Sequence, residues 1–172
     1  MNADIYLSEL NRSDLSELHK WINDESLVGL STVYKPVSDL EQERWFETYI
    51  SAGNSYFFAI KKRNGAIIGT CQLTNVDPVA RHAELRIRIG DSSNRGKGYG
   101  YRAVCSLLRY AFHTINLHRV WLSVFDFNER AAALYKKVGF QHEGTLRQAF
   151  FYNGAYHDVH IMGILSTEFF ID

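Results

Sequence analysis

Apolar positions change period several times along the chain, and each change marks an element. Ile5 and Leu7 alternate with polar neighbours, as in a short strand. Leu15, Leu18, Trp21 and Ile22 then fall on one helical face. The spacing Asp14-x-x-Glu17 predicts a capping-box start for that helix, and Asn23-Asp24 its end. Residues 25–37 keep no period and contain Gly29 and Pro36, so they read as a loop. Ser38-x-x-Glu41 predicts a second capped helix, with Trp45, Phe46, Tyr49 and Ile50 on one face and Gly53-Asn54 as its stop. From Tyr56 the period shortens to two. The β-rich runs 56–62 and 66–76 flank Asn64-Gly65, a dipeptide that favours a type I′ hairpin turn. Asp77-Pro78 breaks the second run, and 83–89 is a third.

The stretch from Asp91 to Phe112 organises the rest. Leu85, Ile87 and Ile89 alternate up to a turn cluster, Asp91-Ser92-Ser93-Asn94. Gly96, Gly98 and Gly100 follow at alternate positions. Ala103, Val104, Leu107, Leu108, Ala111 and Phe112 then recur on one helical face. Beyond it, Val120, Leu122 and Val124 mark a strand. Residues 128–137 form a helix with Gly139 as its stop, and two last strands flank Asn153-Gly154. The order β-α-α-β-β-β-α-β-α-β-β predicts an α/β chain of the mixed α+β kind. It has one central, mostly antiparallel seven-stranded sheet covered by helices on both faces, in a single domain over 1–172.

Composition narrows the classes. The 172 residues include 19 Lys plus Arg and 19 Asp plus Glu, so no global basic surface points to nucleic acid. Cys71 and Cys105 lie in apolar runs and read as buried thiols. No apolar run approaches the roughly 20 residues that span a bilayer. The N-terminal residues show no signal-peptide pattern, so the expected location is the cytoplasm. No histidine pair has convincing metal-ligand spacing; His157 and His160, on opposite faces of a strand, read as structural.

A strand that runs through a glycine turn into a helix presents unpaired backbone N–H groups at the positive end of the helix dipole. Glycines let an anion approach closely, and Arg95 and Lys97 add charge. The loop therefore reads either as a pyrophosphate cradle or as a plain helix-capping turn. The spacing is not that of a Walker loop. Nor is it a dinucleotide fingerprint, because His118 and Arg119 stand where an acidic residue belongs. Arg95-Gly96-Lys97-Gly98-Tyr99-Gly100 fits [QR]-x-x-G-x-[GA], the acyl-coenzyme A loop of the GNAT N-acetyltransferases, which the chain resembles. Asn128-x-x-Ala131-x-x-x-Tyr135-x-x-x-Gly139-Phe140 is similar to that family's second signature. Glu143-Gly144-x-x-Arg147 and Asn153-Gly154-x-Tyr156-x-Asp158 resemble the branch that holds ribosomal-protein, spermidine and nucleotide-amino-sugar N-acetyltransferases.

The resemblance implies acetyl-CoA as cosubstrate, no metal, and a sheet that splays where acyl-CoA enters. It implies cofactor contacts from Ile87, Ile89, Arg95, Gly96, Lys97, Gly98, Tyr99, Gly100, Asn128 and Ala131. It makes Tyr135 the general acid toward the departing thiolate, which leaves more easily with a proton. An ordinary Tyr, with a pKa of about 10, keeps that proton at neutral pH. By itself, a lone Tyr at helical spacing such as Tyr135 reads first as a core aromatic.

The attacking amine must lose a proton, and Glu84, on the strand before the loop, is the candidate acceptor of it. Alternation puts Glu84, Arg86 and Arg88 on one face, so Glu84 either serves the amine or pairs with Arg86. Two arginines favour an acceptor with phosphate or carboxylate, such as a nucleotide-linked amino sugar or a peptide N-terminus. Arg86, Arg88 and Trp21 are the candidate acceptor contacts. A polyamine acetyltransferase and a non-catalytic CoA-binding module stay open as alternatives. The expected partners are a small-molecule or peptide amine, with no nucleic acid or membrane, and a homodimer is allowed.

Overall fold

The computed structural model describes residues 4–51 and 55–170. Seven strands, β1 (Ile5–Ser8), β2 (Tyr56–Lys62), β3 (Ile67–Asp77), β4 (His82–Ile89), β5 (Arg119–Phe125), β6 (Gln141–Tyr152) and β7 (Ala155–Leu165), form one sheet. Their spatial order is β1-β2-β3-β4-β5-β7-β6. Every neighbouring pair is antiparallel except β4 with β5, as patterning predicts for a mixed, mostly antiparallel sheet. The helices are α1 (Leu15–Ile22), α2 (Glu25–Val28), α3 (Asp39–Ser51), α4 (Tyr99–Arg109) and α5 (Glu129–Val138). A π turn over Tyr110–Thr114 extends α4.

Directly opposed residues of an antiparallel pair share a face. Phe57, Gln72 and Arg86 therefore form one row across β2, β3 and β4, and Ala59, Thr70 and Arg88 the next. Phe57 packs with Leu18, Trp21 and Leu27, so these rows face α1 and α2. The alternate rows carry Leu73, Leu85 and Cys71 into the main core with Val104, Leu107 and Leu108 of α4. Both cysteines are free and buried.

Three local expectations need correction. Asp14 does not cap α1. It closes a 3-10 turn (Arg12–Asp14) in front of the helix, where its Oδ2 accepts the Asn11 N–H at 2.9 Å. The same oxygen receives Lys61 Nζ at 2.9 Å, and this buried pair draws Asp14 inward. Glu17 pairs with Lys20 instead. Residues 25–37 are not all loop, because Asp24 Oδ1 accepts the Leu27 N–H at 3.2 Å and caps the single turn α2, too short to show a period. The Asn64-Gly65 hairpin exists, but Lys62 N–H bonds Ala66 O, and only Gly65 has positive φ (+83°). That is a three-residue loop ending in a left-handed glycine, not a two-residue type I′ turn.

Other expectations hold. Glu41 N–H donates to Ser38 Oγ at 3.3 Å and Ser38 N–H to Glu41 Oε2 at 2.8 Å, the reciprocal cap of α3. Asn153 and Gly154 both have positive φ, as a type I′ turn requires. The side chains of Tyr49 and Ile50, and the Gly53-Asn54 stop, lie outside the described residues.

Candidate active site

The β4–β5 ladder has only three pairs, His82–Arg119, Ala83–Val120 and Glu84–Trp121. Yet β4 runs on to Ile89, and β5 to Phe125 along β7. The two strands therefore part beyond Glu84, which leaves the β5-facing edge of residues 85–89 without a strand partner. A cleft of about 900 Å³ enters this gap and is lined from both faces of the sheet. Glu84, Arg86 and Trp21 line it from one side, and Leu134 and Tyr135 of α5 from the other.

At one end of the cleft the glycine loop turns into α4. Among the described residues, the amides of 96–101 find no backbone acceptor. Gly98 caps the helix with φ +79°, and a Cβ there would stand in open space. Gly100 is small for a different reason: a Cβ would come within 2.9 Å of Leu134 Cδ1, so it allows α4 to pack against α5. A run of free N–H groups at a helix start, under a surface with no side chain in the way, fits a pyrophosphate. Gly96, Gly98 and Gly100 line the cleft. Arg95 also lines it, but its Nη2 donates to Gly90 O at 2.8 Å, so the guanidinium braces the loop against the end of β4. Lys97 is exposed and Tyr99 packs on the core under Lys62; neither lines the cleft.

Tyr135 is buried, edge-on to Phe140 at 5.8 Å, and burial pushes its phenol up to about 12. Among the described residues its hydroxyl has no hydrogen-bond partner. Asn128, at the head of the same helix, accepts Ala131 N–H at 3.2 Å and donates to Leu30 O at 3.2 Å. It thus caps α5 and ties it to the segment after α2. Asn128, Ala131, Ile87 and Ile89 all line the cleft.

Glu84 is 6% exposed. Arg86 Nε donates to its Oε1 and Arg86 Nη2 to its Oε2, both at 3.0 Å, and Asn75 Nδ2 donates to Oε2 at 3.2 Å. The shared face predicted for Glu84, Arg86 and Arg88 is present, and so is the Glu84–Arg86 pair. Arg88 reaches across the cleft to Ser31 Oγ at 3.2 Å. Trp21 lies flat on Gly90, where any Cβ would enter the indole ring. Phe150 and Tyr152 join a stack with Phe125 and Phe127, and Tyr152 covers Gly29, so this aromatic group supports the wall around residues 29–32.

Sequence reading missed Gln42, Trp45, Phe57 and Gln72, which also line the cleft. Phe57 and Gln72 were legible as the row that leads to Arg86, had the register been known. Gln42 carried no signal, since a lone polar residue in a helix is common. Among the described residues no cluster of His, Cys, Asp or Glu is placed to hold a metal ion. No helix of the described residues is long and apolar enough to cross a membrane.

A GNAT acetyltransferase domain model matches residues 4–141. The spermidine N(1)-acetyltransferase of Vibrio cholerae is 30% identical over 171 residues, 98% of this chain and 97% of its own length. A crystal structure of spermidine N-acetyltransferase from Vibrio cholerae in complex with CoA and spermine superposes with a TM-score of 0.90. It is 31% identical and covers 97% of this chain and 98% of that one. A putative ribosomal N-acetyltransferase of Bacillus subtilis is 29% identical over 164 residues, 94% of this chain and 85% of its own.

Proposed function

The chain belongs to the GNAT acetyltransferase family and is an acetyl-CoA-dependent N-acetyltransferase; on that premise we propose that its acceptor is a primary amine on a molecule that also carries negative charge. The charge of the cleft carries this reading. Glu84 is the one carboxylate among the described lining residues, and Arg86 already engages both of its oxygens. Arg86 and Arg88 stand beside it, with Arg95, Arg130 and Lys137 elsewhere in the wall. A polycation would meet repulsion here, whereas a phosphate or carboxylate finds guanidinium donors.

Acetyl-CoA supplies the acetyl group as a thioester. In the net reaction an N–C bond replaces the C–S bond, the amine gives up one proton and the departing sulfur takes one. The amides of 96–101 hold the pyrophosphate, and the unpaired edge of residues 85–89 offers hydrogen bonds to the amides of the pantetheine arm. Ile87, Ile89 and Ala131 give that arm apolar walls. Tyr135, kept protonated by its burial, holds a phenolic proton at the sulfur. Glu84 receives the amine at Oε1, which keeps one lone pair beyond the Arg86 Nε bond, whereas Arg86 Nη2 and Asn75 Nδ2 occupy both sites of Oε2. Direct attack in a ternary complex needs no covalent enzyme intermediate.

The test is thiol release from acetyl-CoA over nucleotide-linked amino sugars, peptides, amino acids, aminoglycosides and polyamines, with wild type and Arg86→Ala compared. KM for an anionic acceptor should rise about tenfold in the variant, the weight of one charge-assisted hydrogen bond. A second reading, polyamine acetylation, is favoured by the whole-length likeness to a spermidine acetyltransferase. Robust spermidine turnover untouched by Arg86→Ala would establish that reading and overturn the anionic acceptor.

A further inference from the structure

We infer that the acceptor is a zwitterion, an amine with a carboxylate on the same or the next carbon, and that it carries an aromatic side chain bearing a hydrogen-bond donor; the probes that define the class are free tryptophan and tyrosine. This inference rests on the N-acetyltransferase reading above and specifies its acceptor.

The first observation is the pairing of Glu84 with Arg86. Held oxygen to nitrogen at 3.0 Å, they present a negative and a positive group side by side in the cleft wall. A ligand that complements such a pair carries its own opposite charges at the same close spacing, amine toward Glu84 and carboxylate toward Arg86. Arg86 keeps Nη1 for this, and its side chain is 57% exposed. A polyamine has no anion to offer, and a peptide N-terminus has none close to its amine.

The second observation is where the cleft goes from there. It follows the cross-strand row Arg86, Gln72, Phe57 away from the cofactor loop and passes beneath α1 and α3. Phe57 meets Trp45 edge to face, with ring centroids 5.4 Å apart. Leu18 and Trp21 close the other side. The acceptor's own side chain is the occupant this chamber fits, because it opens directly on the Glu84–Arg86 pair.

The third observation is Gln42. It is 6% exposed and lines the same cleft. Its Nε2 donates to Leu15 O at 2.9 Å, which fixes the amide, and its Oε1 accepts no hydrogen bond from any described residue. Three residues before Trp45 on α3, it stands on the helix surface beside that indole. A buried carbonyl oxygen without a donor is costly; it is closed off in the free protein, and a small turn of the Gln42 side chain toward the cleft lets an indole N–H or phenol O–H on the ligand relieve it. Phenylalanine has the ring but no such donor.

The experiment measures kcat/KM for tryptophan, tyrosine, phenylalanine, alanine, tryptamine, the dipeptide Trp-Ala and spermidine by thiol release, together with calorimetry of tryptophan added to the CoA-saturated protein. Tryptophan or tyrosine should exceed phenylalanine and tryptamine by about tenfold each, one hydrogen bond or charge pair, and alanine by more. Gln42→Leu should erase the preference over phenylalanine. Trp45→Ala should raise KM for tryptophan by a larger factor than KM for alanine, because only the larger side chain reaches that wall. Tryptamine, Trp-Ala or spermidine equal to or better than tryptophan would overturn the inference while the acetyltransferase reading stands. Saturable tryptophan binding with no thiol release from any amine would keep the chamber and sink the transfer reading instead. Absence of both binding and turnover with tryptophan and tyrosine overturns the inference.

Discussion

Arg86 engages both carboxylate oxygens of Glu84 from two residues further along the same strand. The side-chain period of two makes this contact available, and the parting of β4 from β5 beyond Glu84 exposes it to the cleft. Glu84→Gln and Arg86→Ala should therefore be non-additive in kcat/KM for the true acceptor. A double-mutant cycle should give a coupling on the order of 0.5–3 kcal/mol. Strict additivity would separate the two residues and return Arg86 to the solvent-exposed surface.

Asp14 and Lys61 make the other strong prediction, on stability. Both are buried, and Asp14 also holds the Asn11 N–H. Lys61→Ala strands a carboxylate and should cost about 3–5 kcal/mol in urea denaturation, whereas Asp14→Leu with Lys61→Met should recover much of that. A loss below about 1 kcal/mol in the single variant would mean the pair is solvated.

Gly98→Val separates binding from folding. Nothing lies within 4 Å of a Cβ at this position, so the main cost to the fold is backbone strain, about 1–2 kcal/mol for a residue in the left-handed region. The side chain would cover the free amides. CoA affinity by calorimetry should fall at least about tenfold while a cooperative thermal transition remains. Unchanged affinity would place the pyrophosphate elsewhere.

Much of this was legible in the sequence because the signals are local. Asn153-Gly154 and Ser38-x-x-Glu41 specify their own geometry through φ and reciprocal side-chain bonds, and the helix stop at Gly139 (φ +114°) does the same. What sequence could not show depends on partners distant in the chain. Asp14 is drawn from its expected cap by Lys61, 47 residues away. Phe57 joins the cleft of Glu84 and Arg86 through the register of β2, β3 and β4, and Gln42 and Trp45 through the packing of α3 over it. Arg95 reads as a charge for an anion and is spent on Gly90 O, because the loop folds back over the strand it left.

Burial raises Tyr135 from about 10 in the unfolded chain to about 12, so the neutral phenol is the form the fold favours. By linkage its contribution to stability is full below pH 10 and is lost as pH rises from about 10 through about 12. Unfolding free energy measured across that range should fall more steeply for wild type than for Tyr135→Phe. Within the ordinary assay range, no basic limb of the rate profile should come from this residue.

Acetyl transfer beside the Tyr135 hydroxyl is a single chemical step, and single-turnover kinetics isolate it. With enzyme in excess over acetyl-CoA and acceptor saturating, thiol appearance reports the chemical step alone. Tyr135→Phe should slow that step by roughly 10²–10⁴-fold and leave the CoA dissociation constant within about twofold of wild type. A variant that transfers acetyl at the wild-type single-turnover rate would reduce Tyr135 to a packing residue and contradict the account.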